Sequence, residues 1–157
     1  MAAPTPTVRQ TPGGIKLDDG FSTKYTFAAD PDLEIWEKSV TPPGYDGGDA
    51  IDTSTMWNTK LRTFNPRKLM TMTEGSFEGA YDPTCYTSIL ALINVETTVT
   101  VTFPDGSTVA FFGYLKTFKP NACEDGTQPT AACTIQPTNQ DSSGAEQDPV
   151  VTSVAGT

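Results

Sequence analysis

The residues best placed to do chemistry are carboxylates. Asp46, Asp49 and Asp52 recur every third position in Asp46-Gly47-Gly48-Asp49-Ala50-Ile51-Asp52, and acids so closely spaced could offer several oxygens to a hard cation such as calcium. An EF-hand loop, however, takes its ligands at alternate residues and closes on a bidentate Glu. The segment is therefore expected to be a solvated acidic loop without a metal. Ser76, in Gly75-Ser76-Phe77-Glu78-Gly79, is displaced from the centre of a G-x-S-x-G elbow. The chain has no histidine, which removes the usual base near neutral pH, the usual zinc ligand and every Ser-His or Cys-His pair. Cys85, Cys123 and Cys133 are an odd number without C-x-x-C spacing. They read as ordinary thiols of a reducing compartment, the alternative being a Cys123 to Cys133 bridge in an oxidising one. No catalytic residue, cofactor or metal is expected, and the chain reads as a non-enzyme.

Charge restricts the partners. With 157 residues, 10 basic and 19 acidic, the net charge is −9, the wrong sign for a protein that holds duplex DNA by neutralising phosphates. From Asp30 to Asp52 there are seven acids against Lys38 alone, whereas Lys60, Arg62, Arg67 and Lys68 follow with no acid among them. Segregation of this kind can steer a head-to-tail contact between copies, the alternative being a solvated surface on which the charges cluster by chance. Asp46, Asp49 and Asp52 are expected to meet the stretch Lys60 to Lys68 of another copy. Tyr45 and Trp57, in a segment of Gly and Thr, suit anchors of a protein interface. A sugar-stacking platform of Trp36, Tyr45, Trp57, Phe64, Phe112 and Tyr114 is a competing use of the aromatics.

These residues need elements to hold them. Residues 1–14 are Pro/Thr/Gly-rich and 138–157 are acidic and Ser/Gly-rich, so both are expected to be flexible and the folded domain to span 15–137. The N-terminus has no apolar signal-like region and no apolar run is long enough to cross a bilayer, so the chain reads as unexported. Strict alternation marks strands at Phe21 to Phe27 and Thr98 to Phe103. Leu33 to Val40, Leu69 to Glu78 (with Gly75 a candidate bulge), Thr108 to Phe118 and Ala131 to Gln136 complete the set, and Pro104-Asp105-Gly106 makes a hairpin turn. One helix is expected at about 83–95: Asp82 caps it, Pro83 opens it, and Tyr86, Ile89, Leu90 and Ile93 form its apolar stripe. Between the second and third strands, Thr41 to Arg67 is too long for an idle loop and is expected to be functional, or mobile until something binds it.

The order of these elements resembles the major tail tube protein of long-tailed (siphovirus-type) bacteriophages. The similarity rests on the strand from Leu33 to Val40 entering the Pro/Gly/Asp loop and on the basic return Asn65-Pro66-Arg67-Lys68-Leu69. Tyr81-Asp82-Pro83 opening the single helix, Phe103-Pro104-Asp105-Gly106-Ser107, Phe112-Gly113-Tyr114-Leu115-Lys116 and the closing strand Thr134-Ile135-Gln136 extend it. It implies a mainly β, two-sheet sandwich or barrel-like fold with one flanking helix. It further implies a structural virion protein, assembled in the host bacterial cytoplasm, whose hexameric rings stack into a tube for DNA ejection. A tape measure protein would lie inside, with tail terminator and distal tail proteins at the ends, and no C-terminal immunoglobulin-like decoration. The long loop would reach neighbouring subunits or rings. An acidic lumen would suit such a conduit, because duplex phosphates recur about every 1.7 Å along the axis and must pass without adhering. Glu34, Glu37, Glu74 and Glu78, all on expected strands, are the candidates for it. The alternatives are a ring-forming distal tail or tail-terminator protein and a carbohydrate-binding β-sandwich.

Overall fold

Alternating apolar and hydroxyl residues make β-strand the dominant regular structure among the described residues. The computed structural model describes residues 10–11, 14–15, 23–33, 35–104 and 106–152. In chain order the elements are β1 (Gln10–Thr11), β2 (Gly14–Ile15), β3 (Lys24–Phe27), β4 (Glu37–Thr41), β5 (Tyr45–Asp46), β6 (Ile51–Asp52), β7 (Phe64–Asn65), β8 (Thr71–Met72) and β9 (Gly75–Ala80). A 3-10 turn (Pro83–Cys85) then leads into α1 (Tyr86–Leu92), followed by β10 (Thr97–Thr102), β11 (Thr108–Pro120), β12 (Thr130–Pro137) and β13 (Val150–Thr152). Strands β3, β10, β11, β12, β9 and β4 pair in that order into one antiparallel sheet, with β13 added to β11. The mainly β fold with one short helix is as expected. Its form is the barrel-like one, a single sheet curled into a half-barrel.

Parity along the strands builds the core. In β10, Thr97, Val99 and Val101 are buried while Thr98, Thr100 and Thr102 turn the other way. Phe111 and Leu115 of β11, Cys133 and Ile135 of β12 and Phe77 of β9 join the inner face, which Ile89 and Leu92 of α1 cover. The outer face carries hydroxyl and amide side chains interspersed with the aromatic rings of Phe112 and Tyr114. Thr26 lies beside Thr100, Thr98 beside Phe112, Tyr114 beside Gln136, and Thr134 beside Ser76.

Several local expectations shift. The strand expected from Leu33 begins only at Glu37, because a turn donates Leu33 N–H to the Asp30 carbonyl. Leu69 to Glu78 splits into β8 and β9. Gly75 is no bulge but a close approach, since a Cβ there would lie 2.3 Å from the Tyr25 hydroxyl. The register shifts fall instead between Glu37 and Ser39 and between Leu115 and Thr117. Asp82 caps the helical segment as expected, its carboxylate accepting Thr84 N–H at 2.9 Å. The helix stops at Leu92 rather than near 95: Ile93 is extended, bridging to Leu115, and Asn94 is left-handed at φ 61. Over so short a helix the inward line is Cys85, Ile89, Leu92 and Ile93, at spacings of three and four. Leu90, expected in the stripe, lies on the flank and is exposed. The chain beyond Thr138, expected to lack structure, carries β13. The proposed N-terminal arm and the start of the first expected strand lie largely outside the described residues.

The outermost strands meet through side chains. Tyr25 N–H in β3 donates to Glu37 Oε1 in β4 at 3.1 Å, and the Tyr25 hydroxyl donates to the Thr41 carbonyl at 2.8 Å. Burial raises the Glu37 carboxyl above its usual value, with the Tyr25 N–H and the Lys24 charge offsetting only part. The folded chain therefore keeps this proton to a higher pH than the unfolded chain. The stabilisation is present below the ordinary Glu range and is lost as pH rises through the folded value. Glu37→Gln keeps an oxygen for Tyr25 N–H without the buried charge. Its melting temperature should exceed that of the wild type at about pH 7 and match it more closely at about pH 4; a gap that does not change with pH contradicts this account.

Candidate functional site

The segment expected as a loop is a projecting β-arm. β5 pairs with β8 (Tyr45 opposite Met72) and β6 with β7 (Ile51 opposite Asn65), so the legs form a ladder continuing outward from β4 and β9. Thr73 N–H donates to the Gly44 carbonyl at 2.8 Å and Gly44 N–H returns to Thr73 Oγ1 at 2.8 Å, joining ladder to sheet. Met72 roots the arm in the core.

Where the ladder breaks, side chains hold it. Asp46 accepts Gly48 N–H at 2.8 Å, Gly48 being left-handed at φ 76, and Arg67 Nε reaches across to the Asp49 carbonyl at 2.8 Å. Further out, Asp52 accepts Ser54 N–H at 2.9 Å and faces Arg62 at 3.4 Å. The Ser54 hydroxyl and amide are the first cause of an Asp52 pKa below the usual carboxylate range, with Arg62 a smaller one. Asp46 and Asp52 thus stabilise turns. No three His, Cys, Asp or Glu side chains among the described residues are grouped as a metal would need. The acidic and basic halves, expected to meet between copies, also face each other within one hairpin. Segregation of charge was read along the chain, whereas pairing in a hairpin folds the second half back onto the first.

The tip is ordered and apolar. Asn58 Oδ1 accepts Thr55 N–H at 2.9 Å and Asn58 Nδ2 donates to the Leu61 carbonyl at 2.8 Å. This turn leaves Met56 103% and Trp57 91% exposed. Tyr45, Ile51, Leu61, Phe64, Leu69 and Met70 are exposed along the legs. Such a concentration of large apolar side chains on a projection is a surface built to be covered. Lys60 and Lys68 are exposed beside them. Residues 53–70 contain four basic residues and no acid, leaving six basic against 19 acidic elsewhere, a net of −13.

The four acids proposed for a lumen do not share one surface. Glu34 lies outside the described residues. Glu37 closes the half-barrel. Glu74 lies between β8 and β9, not on a strand, and pairs with Lys116. Glu78 alone sits on the outer parity of β9, between Ser39 and Ala132. Nor do the aromatics align into a platform: Tyr45, Trp57 and Phe64 are on the arm, whereas Phe112 and Tyr114 are on the outer sheet face. Sequence reasoning missed Ile51, Met56, Leu61, Leu69 and Met70, whose signal was an apolar residue content unusual for a loop. None of the three cysteines forms a disulfide; Cys133 is buried, its pKa pushed up to about 12 by that burial, and Cys123 is exposed. No described helix is long and apolar enough to cross a membrane.

No protein-family model matches the sequence, and no curated protein matches it either. The fold does have a solved counterpart. A chain in the six-fold symmetrised cryo-EM structure of the anti-feeding prophage (AFP) baseplate superposes with a TM-score of 0.57 at 8% identity, covering 84% of this chain and 91% of that one. What the two share is the fold. The coverage includes most of both chains, so the likeness concerns the whole curled sheet and not one hairpin of it.

Proposed function

We propose that this protein is a structural subunit of a phage-type tail, polymerising as hexameric rings that stack into the tail tube. The observation that carries this reading is the arm: an ordered hairpin with an acidic outgoing leg, a basic return leg and an exposed apolar tip, on a chain that is strongly acidic elsewhere. Its best partner is another copy of the same chain. A projecting patch that meets a different patch on the next copy is a heterologous contact, which gives a ring if the rotation closes and a filament if it does not. The fold shared with a component of a six-fold symmetrised prophage baseplate supports the same class of assembly. The net charge of −9 suits a conduit that must release DNA, and no catalytic role is part of the proposal.

A single-ring tail component, such as a distal tail or tail-terminator protein, is the second reading, favoured by the fact that the counterpart comes from a baseplate. Negative-stain microscopy of purified protein over a range of concentrations separates the two. Long tubes are expected; isolated rings would transfer the protein to the second reading, and monomers under every condition would end both.

A further inference from the structure

The last described strand is connected by far more chain than its position needs. β12 leaves β11 at Gly113 opposite Pro137, and Thr138 N–H donates to the Phe112 carbonyl at 2.9 Å. β13 joins the same edge of β11 with Val150 opposite Ala110. The two attachment points, Phe112 and Ala110, are two residues apart, roughly 7 Å along a strand. Residues 139–149 join them, and extended they would reach roughly 36 Å. The excess is taken up in a small hairpin. Asp141 N–H donates to the Ala145 carbonyl at 2.7 Å, the Asp141 carboxylate accepts Ser143 N–H at 2.8 Å, and Gln147 N–H donates to the Asn139 carbonyl at 3.1 Å.

β13 itself is held lightly. It makes three register pairs, and Val150 and Val151 remain 56% and 65% exposed. It nevertheless does something necessary in the free chain: without it, Thr108 to Ala110 of β11 would present a bare edge beyond the end of β12, open to any other strand.

Resting on the assembly reading above, we propose that Val150–Thr152 is an exchangeable strand: it caps its own β11 edge in the free subunit and pairs with the Thr108–Ala110 edge of a neighbouring copy in the assembly. Exchange replaces each hydrogen bond by an identical one, so its cost is small, and the stored slack supplies the reach. The device keeps the edge closed until a neighbour is in place.

Val109 and Val151 are directly opposed, within the Cα separation a disulfide accepts. The test uses Val109→Cys/Val151→Cys on a Cys123→Ser background. Oxidised before assembly, the protein should close an intramolecular bridge and need at least tenfold higher concentration to assemble, with reduction restoring it. Oxidised after assembly, it should give covalent multimers on a non-reducing denaturing gel. Only single-chain species at that step would overturn the exchange. A second variant deleting Ser142–Ala145 shortens the extended reach from roughly 36 Å to roughly 23 Å while leaving enough chain for β13 to pair with its own β11; it should melt like the wild type and need a higher concentration to assemble, and normal assembly would overturn the idea independently. If the wild type itself never assembles, the proposed function fails; if it assembles and the bridged or shortened chains do so equally well, only strand exchange fails.

Discussion

Trp57→Asp is expected to weaken assembly severely while leaving the monomer folded. Trp57 is 91% exposed at the tip of an arm whose turn is held by Asn58 and Thr55, so its side chain contributes little to the fold of the single chain. Surface substitutions of that kind usually stay within about 0.5 kcal/mol. In a contact between copies the same residue would be a central aromatic anchor, where truncation costs about 2–4 kcal/mol. A buried carboxylate without a partner adds to that. At about 1.4 kcal/mol per tenfold, the concentration needed for assembly should rise by at least about thirtyfold. Sedimentation across a concentration series measures the first effect and a thermal melt the second. Assembly at the wild-type concentration would remove the arm from the interface, and a collapsed melt would mean that Trp57 serves the fold instead. Met56→Ala, at the same tip, should show a weaker form of the same pattern.

Ile135→Ala should have the opposite signature: a large loss of stability in the monomer. Ile135 is fully buried, on the central strand β12, opposite Leu115 of β11 on one side and Gly75 of β9 on the other. Hydrogen-bonded neighbours on both sides prevent the backbone from collapsing into the space, and Gly75 has no side chain to move into it. Truncations at such sites cost about 2–5 kcal/mol, which for a chain of this size lowers the melting temperature on the order of 10 °C. Val150→Ala, on the exposed terminal strand, should change it by little. Equal effects at the two positions would contradict the placement of the core.

What could be read from the sequence divides along a physical line. The Thr-Val alternation of β10 and the Asp82-Pro83 start of the helical segment were legible because each depends on neighbours in the chain. The close approach at Gly75 and the end of α1 depend on Tyr25 and Leu115, which are distant in sequence, whereas the true start of β4 is set by a local turn at Asp30 that the apolar pattern from Leu33 concealed. The arm was recognised as important from its length and composition, but as a loop. Its two short ladders have too few residues each to show a period of two, and its charge segregation suggested only a partner outside the chain. Asp52 and Arg62 meet because the hairpin folds back, a fact no linear pattern contains. The acids suggested for one wall were grouped by being on strands, and the register shift after Glu37 together with the gap at Glu74 takes two of them elsewhere.

The way the arm is rooted also determines how it bears a pull. Its legs run straight into β4 and β9, so tension applied at the tip travels along the strand axes. β9 is held on its inner side by six register pairs with β12, from Ala80 opposite Thr130 to Gly75 opposite Ile135. Antiparallel hydrogen bonds lie perpendicular to the strands, so this load shears all of them together instead of peeling them one at a time. Mechanically, the arm is a fastener whose grip is shared across the body of the protein.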